Sequence, residues 1–138
     1  MKMRSIWTRA LQTFKRIWKR WRSGSESTPN YCKIYLALPY SGMEEESFEL
    51  ANKVSADLMA KGYIVFSPIS HSHPIAKSQE LPGSWDFWEK FDRSFIEWCD
   101  EVWVIQHPMT EQSRGVKAEK KIAAELGKTI RPYYISKN

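Results

Sequence analysis

Residues 31–42 read Tyr-Cys-Lys-Ile-Tyr-Leu-Ala-Leu-Pro-Tyr-Ser-Gly, and this stretch decides the fold. Its first eight residues are rich in β-forming side chains, and the Pro-Tyr-Ser-Gly that follows is typical of a turn. Three glutamates at positions 44–46 then suit the positive end of a helix, whose apolar residues recur at helical spacing until Gly62. The sequence therefore predicts a strand, a turn and a helix, which is how an α/β domain begins.

The alternation of strands and helices continues along the chain. We predict a strand over 63–66, a long loop over 67–83, a helix over 85–99, a strand over 101–105, a helix over 115–126 and a strand over 129–134. Right-handed crossovers between such strands lay helices on both faces of the sheet. We expect a flavodoxin-like or Rossmann-like three-layer sandwich with a mainly parallel sheet of about four to five strands.

Ligands of such sheets bind beyond the carboxyl ends of the strands. The segments that meet there supply the candidate substrate-binding residues Pro39, Ser41, Gly42, His71, His73, Ser113, Gly115 and Val116. Ser113 and the amides at 115 and 116 begin a helix, where they could hold a phosphate or a sugar hydroxyl. His71 and His73, two residues apart and with no cysteine nearby, make a poor zinc site. We predict that these histidines line a pocket by hydrogen bonding or carry a proton, and we predict no metal.

Residues 1–22 differ in composition from the rest of the chain. They hold eight of the 21 Lys and Arg residues and none of the 16 Asp and Glu residues, so the remainder carries a net charge of −3 although the whole chain carries +5. Their apolar side chains fall at three- and four-residue intervals and cover an arc of roughly 140° at about 100° per residue. The sequence predicts a basic amphipathic helix over 1–22, a flexible linker over 23–30 and an α/β domain over 31–138.

Three interpretations of this helix remain open. It could lie in the headgroup region of an anionic membrane, or its Trp stripe could pack on the domain or on a second subunit. Nucleic-acid binding fits less well, because aromatic residues there interleave with basic ones rather than segregate from them. We expect no sequence-specific nucleic-acid partner.

The two cysteines, Cys32 and Cys99, match no metal-binding or disulfide spacing and favour a reducing compartment. No stretch reaches the roughly 18 apolar residues that a membrane-spanning helix needs. We therefore expect a cytoplasmic protein, peripheral to a membrane if the first helix binds lipid.

Three motifs in order resemble the nucleoside 2-deoxyribosyltransferase-like superfamily. Ile34-Tyr35-Leu36-Ala37-Leu38-Pro39-Tyr40-Ser41 resembles its first strand and loop, and residues 91–104, Phe-Asp-Arg-Ser-Phe-Ile-Glu-Trp-Cys-Asp-Glu-Val-Trp-Val, resemble its helix-to-strand segment. Ser113-Arg114-Gly115-Val116-Lys117-Ala118-Glu119 is similar to its S-x-G-V-x-x-E helix start. Residues 66–75, followed by Trp85-Asp86-Phe87-Trp88, look like one branch, domain of unknown function family 1937.

The resemblance implies N-glycosidic chemistry on a nucleoside or nucleotide without a cofactor. It makes Glu119 the carboxylate that attacks the anomeric carbon, Tyr35 the hydroxyl that orients it, and Asp92 the acid near the sugar and base. A carboxylate can stabilise the positive charge that builds on the sugar and can trap a glycosyl intermediate. Relatives commonly complete their sites across subunits, so the resemblance also implies a homo-oligomer, a dimer or larger.

The residues also admit plainer interpretations. Glu119 near a helix start is favoured by the helix dipole alone, Asp92 could be a solvated helix residue, and Tyr35 could be an ordinary strand aromatic. The acidic run at 44–46 departs from relatives that bind monophosphates and should repel a phosphate, unless Arg114, Lys117 or the histidine segment offsets it. The rival functions are a nicotinamide-releasing NAD glycohydrolase and a nucleotide-sensing module without turnover.

Overall fold

A computed structural model describes residues 3–22 and 31–137. The chain divides into two units, a helix before residue 31 and a domain that begins at Tyr31. The first unit is α1 (Met3–Arg22); the second contains β1 (Lys33–Ala37), α2 (Glu44–Ala60), β2 (Ile64–Phe66), α3 (Pro68–Gln79), α4 (Trp85–Trp98), β3 (Glu101–Ile105), a 3-10 turn (Thr110–Gln112), α5 (Arg114–Glu125) and β4 (Thr129–Tyr133). The predicted linker, residues 23–30, lies outside the described residues.

The four strands of the domain form one sheet in the order β2-β1-β3-β4. All three pairings are parallel. This confirms the predicted α/β fold with a parallel sheet. The connection after β1 places α2 on one face of the sheet, and the connection after β3 places α5 on the other face. The connections therefore diverge between β1 and β3, which is where parallel α/β sheets bind ligands.

Each face of the sheet carries its own layer of buried side chains. One layer joins strand residues to α4 and α5, and its members are Tyr35, Ala37, Ile96, Cys99, Val102, Val104, Val116, Ile122 and Ala123. The other joins strand residues to α2 and α3, and its members are Leu36, Leu38, Ala51, Val54, Leu58, Ile69 and Ile105. Because side chains alternate along a strand, β1 sends Tyr35 to one layer and Leu36 to the other.

The prediction of a long loop over 67–83 was wrong, because most of it is the helix α3. Ser67 caps this helix by accepting a hydrogen bond from the Ser70 amide at 3.1 Å, and Pro68 follows at its first turn. Pro74 inside the helix lacks an amide hydrogen, so local propensity argues against helix formation. Burial of Ile69 and His73 on the domain offsets that cost. Glu80, in the left-handed conformation with φ 52°, ends the helix.

Replacing Leu58 by alanine is expected to lower the free energy of unfolding by about 2–5 kcal/mol, because the change leaves a cavity in the core. Leu58 is 1% exposed and packs in the layer between α2 and the sheet. Urea denaturation followed by circular dichroism measures the change. Met59, its neighbour on α2, is 53% exposed and provides the matched control: Met59→Ala should cost less than about 0.5 kcal/mol. Equal losses for the two variants would contradict this account of the core.

Candidate active site

A cleft of about 1040 Å³ opens beyond the carboxyl ends of the strands. Its walls come from the residues after β1, from α3, from the start of α4 and from the segment that leads into α5. The volume is at the upper end of the range for small-molecule sites. Several predicted residues border it: Pro39, Ser41, His73, Asp92, Ser113, Gly115 and Glu119. Four other predicted residues do not border the cleft: Gly42, His71, Val116 and Tyr35.

Tyr35 and Glu119 meet beneath this cleft although 84 positions separate them in the chain. The Tyr35 hydroxyl donates a hydrogen bond to Oε1 of Glu119 at 3.2 Å. Tyr35 is fully buried, and Glu119 is 7% exposed. The second carboxyl oxygen of Glu119, Oε2, is buried and has no hydrogen-bond partner among the described residues. The carboxyl is therefore held through one oxygen, and the residue that carries it borders the cleft.

Asp92 places a second carboxyl in the same wall. It lies on α4, is 8% exposed and borders the cleft. Burial raises the pKa of Asp92 from 3.8 to about 7, and the Tyr35 hydroxyl opposes this only in part. Burial also raises the pKa of Glu119 well above its usual value, and the negative charge of Asp92 adds to that rise. Because the charge of Asp92 acts on Glu119, the two carboxyls titrate as a pair and retain a shared proton to higher pH than isolated carboxyls.

The buried phenol of Tyr35 keeps its proton over the pH range in which the two carboxyls titrate. Burial, followed by the charges of Glu119 and Asp92, raises the pKa of Tyr35 well above its ordinary value. Tyr35 therefore remains a neutral hydrogen-bond donor. A donor that stabilises the charged form of a carboxyl lowers its pKa, and the Tyr35 hydroxyl has this effect on Glu119.

The start of α5 carries Ser113, Arg114 and Gly115 along the cleft. Ser113 is the N-cap, and its hydroxyl accepts a hydrogen bond from the Val116 amide at 3.2 Å. That amide is therefore already engaged within the helix start, and Val116 itself is 1% exposed. Arg114 is exposed and, within the described part of the chain, makes no ion pair.

The two histidines of α3 face different parts of the domain. Residues two apart on a helix point about 200° apart, so His71 and His73 cannot share a pocket as they could on a loop. His73 is buried at the cleft; its Nδ1 lies 2.8 Å from the Tyr40 hydroxyl and its Nε2 lies 3.3 Å from Glu45 Oε1. His71 is exposed and borders an adjoining apolar pocket of about 110 Å³, not the cleft itself. The helix that the sequence did not reveal thus separates this pair.

Two of the three glutamates in the acidic run after β1 have basic side chains as partners. Glu45 Oε1 lies 2.6 Å from Lys77 Nζ, and Glu46 Oε1 lies 3.5 Å from His107 Nε2. Of these three glutamates only Glu44 borders the cleft, and its Oε1 accepts a hydrogen bond from the Gly42 amide at 2.9 Å. Gly42 has a φ of 84°, which favours glycine, and its conformation shapes this turn. The repulsion of an anionic substrate that the sequence predicts is therefore weakened.

Other cleft residues were absent from the predicted set. They include Tyr40, Lys77, Trp85, Asp86 and Trp88. The spacing of His73 and Lys77, four residues apart, would indicate a shared helical face once α3 is recognised as a helix. Trp85 and Trp88 border the cleft, and Trp85 also packs against the buried layer that α4 and α5 form with the sheet. Trp98 is 41% exposed and contacts Lys33. Among residues 3–22 and 31–137, no three His, Cys, Asp or Glu side chains come together as metal ligands.

The chain was compared with solved structures, with curated proteins and with protein-family models. A 2-deoxyribosyltransferase from Bacillus psychrosaccharolyticus has 27% identity and a TM-score of 0.49, with 78% of this chain and 75% of that chain covered. A CMP N-glycosidase from Clostridium botulinum has 20% identity and a TM-score of 0.48, with 77% of this chain and 89% of that chain covered. A search of curated proteins found no match. The family described as domain of unknown function (DUF1937) matches residues 32–134, which is most of the chain, and the protein belongs to this family.

Proposed function

We propose that the protein is an enzyme that cleaves the N-glycosidic bond of a nucleoside or nucleotide, with Glu119 as nucleophile. One observation carries the proposal: a buried carboxyl at the cleft has Oε1 held by Tyr35 and Oε2 unpaired among the described residues. A glycosyl group needs such an anionic oxygen on one side of its anomeric carbon. The motif resemblance described above supports the same assignment.

In the proposed reaction, Oε2 of Glu119 forms a bond to the anomeric carbon as the bond from that carbon to the base nitrogen breaks. The electron pair of the broken bond stays on the base. In this scheme the proton that the two carboxyls share lies on Asp92, which leaves Glu119 ionised, and Asp92 passes that proton to the departing base. Water, or the N–H nitrogen of a second base, then attacks the anomeric carbon and gives its proton to the Asp92 carboxylate. The bond from that carbon to Glu119 breaks, and Glu119 is released as a carboxylate; attack by water is hydrolysis and attack by a base is transfer.

The surrounding residues have supporting roles in this scheme. Tyr35 is a positioning residue, because it touches Glu119 and does not border the cleft. The substrate contacts that we propose are the predicted residues that border the cleft: Pro39, Ser41, His73, Ser113 and Gly115. Gly42 acts by shaping the turn, while the Val116 amide is engaged by Ser113 and His71 faces another cavity. Arg114 supplies positive charge at the cleft, which would favour a substrate with a 5′-phosphate.

The compartment and the assembly state belong to the same proposal. Cys32 and Cys99 are both free, which fits a reducing compartment such as the cytoplasm. The homo-oligomer implied by the resemblance stays a prediction.

Incubating the full chain with a panel of ribo- and deoxyribonucleosides, their monophosphates and NAD is expected to release free base from at least one nucleoside or monophosphate. Chromatography of the products measures release, and addition of a second base distinguishes transfer from hydrolysis. Release of nicotinamide from NAD alone would instead identify a glycohydrolase of that dinucleotide. Thermal stabilisation by a ligand without any product would identify a binding module and contradict turnover.

A further inference from the structure

The helix α1 lies outside the residues that match the family, which begin at position 32. It is a single helix of 20 residues, and a lone helix has no second element within its own unit against which to bury an apolar face. Leu11, Phe14, Ile17 and Trp18 are 53–64% exposed along it. The Phe14 and Trp18 rings stack with centroids 6.3 Å apart, which forms a continuous aromatic surface. We therefore consider which surface could cover this apolar face, and we call that surface its occupant.

The charge of α1 identifies the chemistry of that occupant. Residues 1–22 contain eight Lys and Arg and no Asp or Glu. Arg9, Lys15 and Arg16 are exposed on the side opposite the apolar face. Two copies paired through their apolar faces would leave all the basic residues of both helices without an acidic partner, whereas an anionic surface neutralises them. Aromatic and basic residues occupy different sides, which does not suit stacking on nucleic-acid bases.

We infer that α1 is a docking element for an anionic lipid surface. The apolar face enters the boundary between headgroups and acyl chains, and the basic face remains at the level of the anionic headgroups. The helix lies in the plane of the surface: among the described residues no helix is long and apolar enough to cross a bilayer. The cleft described above is thereby brought to a membrane, whatever substrate it takes.

Flotation of the full chain with vesicles tests this inference. We expect the protein to float with vesicles of phosphatidylcholine and phosphatidylglycerol in equal amounts and to remain unbound with phosphatidylcholine alone. Each basic residue near an anionic surface contributes roughly 1 kcal/mol, so Arg9→Gln/Lys15→Gln/Arg16→Gln should weaken binding about a hundredfold. Phe14→Ser/Trp18→Ser should weaken it by a similar factor, about a hundredfold, because two aromatic side chains no longer enter the lipid.

A matched control removes the same number of charges from the domain. Lys53→Gln/Lys61→Gln/Lys121→Gln changes three exposed lysines and should leave flotation unchanged. Equal binding to neutral vesicles, or equal loss in the control variant, would overturn the assignment. Absence of flotation would also overturn the assignment if Phe14→Ser/Trp18→Ser changes the protein in one of two ways. A lower melting temperature would identify the domain as the occupant of the apolar face, and a smaller particle mass would identify a second copy. Base release, measured separately without vesicles, does not depend on this outcome.

Discussion

Glu119→Gln is expected to lower kcat/KM for base release at least about a thousandfold while the protein remains folded. Glutamine has nearly the same shape and keeps an oxygen that can accept the Tyr35 hydrogen bond, but its amide cannot form the glycosyl ester. Removal of a buried ionisable carboxyl also removes a cost of desolvation, so stability should not fall. Product chromatography on the most active substrate of the panel measures the loss, and circular dichroism measures folding.

A matched control for this substitution is available on the same helix. Glu125 is exposed on α5 and only weakly paired with Arg93, at 3.5 Å, so Glu125→Gln should leave the rate unchanged. Tyr35→Phe tests positioning: the Tyr35 hydrogen bond lowers the pKa of Glu119, so its removal should shift the acidic limb of the kcat/KM profile to higher pH. Retention of base release by folded Glu119→Gln would eliminate the covalent mechanism.

Asp92→Asn is expected to lower kcat about 10²- to 10⁴-fold and to abolish the alkaline limb of the pH profile. Because burial raises the pKa of Asp92 to about 7, the carboxyl still holds a proton near neutral pH and can donate it to the departing base. Above that pKa the proton is lost and the wild-type rate should fall. Asparagine cannot transfer a proton at any pH. A full pH–rate profile of both proteins measures the difference.

The same substitution has a predictable effect on stability. A carboxyl whose folded pKa exceeds its unfolded pKa contributes stability that is complete below the unfolded value and lost as the pH rises through the folded value. For Asp92 the shift from 3.8 to about 7 corresponds to at most about 4 kcal/mol, lost between those pH values. Asp92→Asn should therefore be more stable than the wild type at pH 8. Glu97→Gln, an exposed position on the same helix, should show neither effect. An unchanged rate and unchanged stability for Asp92→Asn would remove Asp92 from the mechanism.

Sequence reasoning identified the strands and, apart from α3, the helices around them, because hydrophobic periodicity and turn residues are local signals. The predicted strand over 101–105 has the bounds of β3, α4 ends one residue before its predicted end, and α5 begins and ends one residue earlier than predicted. The resemblance to domain of unknown function family 1937 rested on local motifs as well, and the family match confirms it. The same motifs singled out Tyr35, Asp92 and Glu119.

What only the tertiary structure decided is how distant side chains meet and how deeply they are buried. The bond between Tyr35 and Glu119 spans 84 positions, and the raised pKa of Asp92 comes mainly from burial that the packing of α4 on the sheet creates. The helix α3 persists despite Pro74 because burial of Ile69 and His73 outweighs local propensity, and this helix directs His71 away from the cleft. Neighbouring residues encode local conformation, whereas desolvation and long-range hydrogen bonds depend on the whole fold.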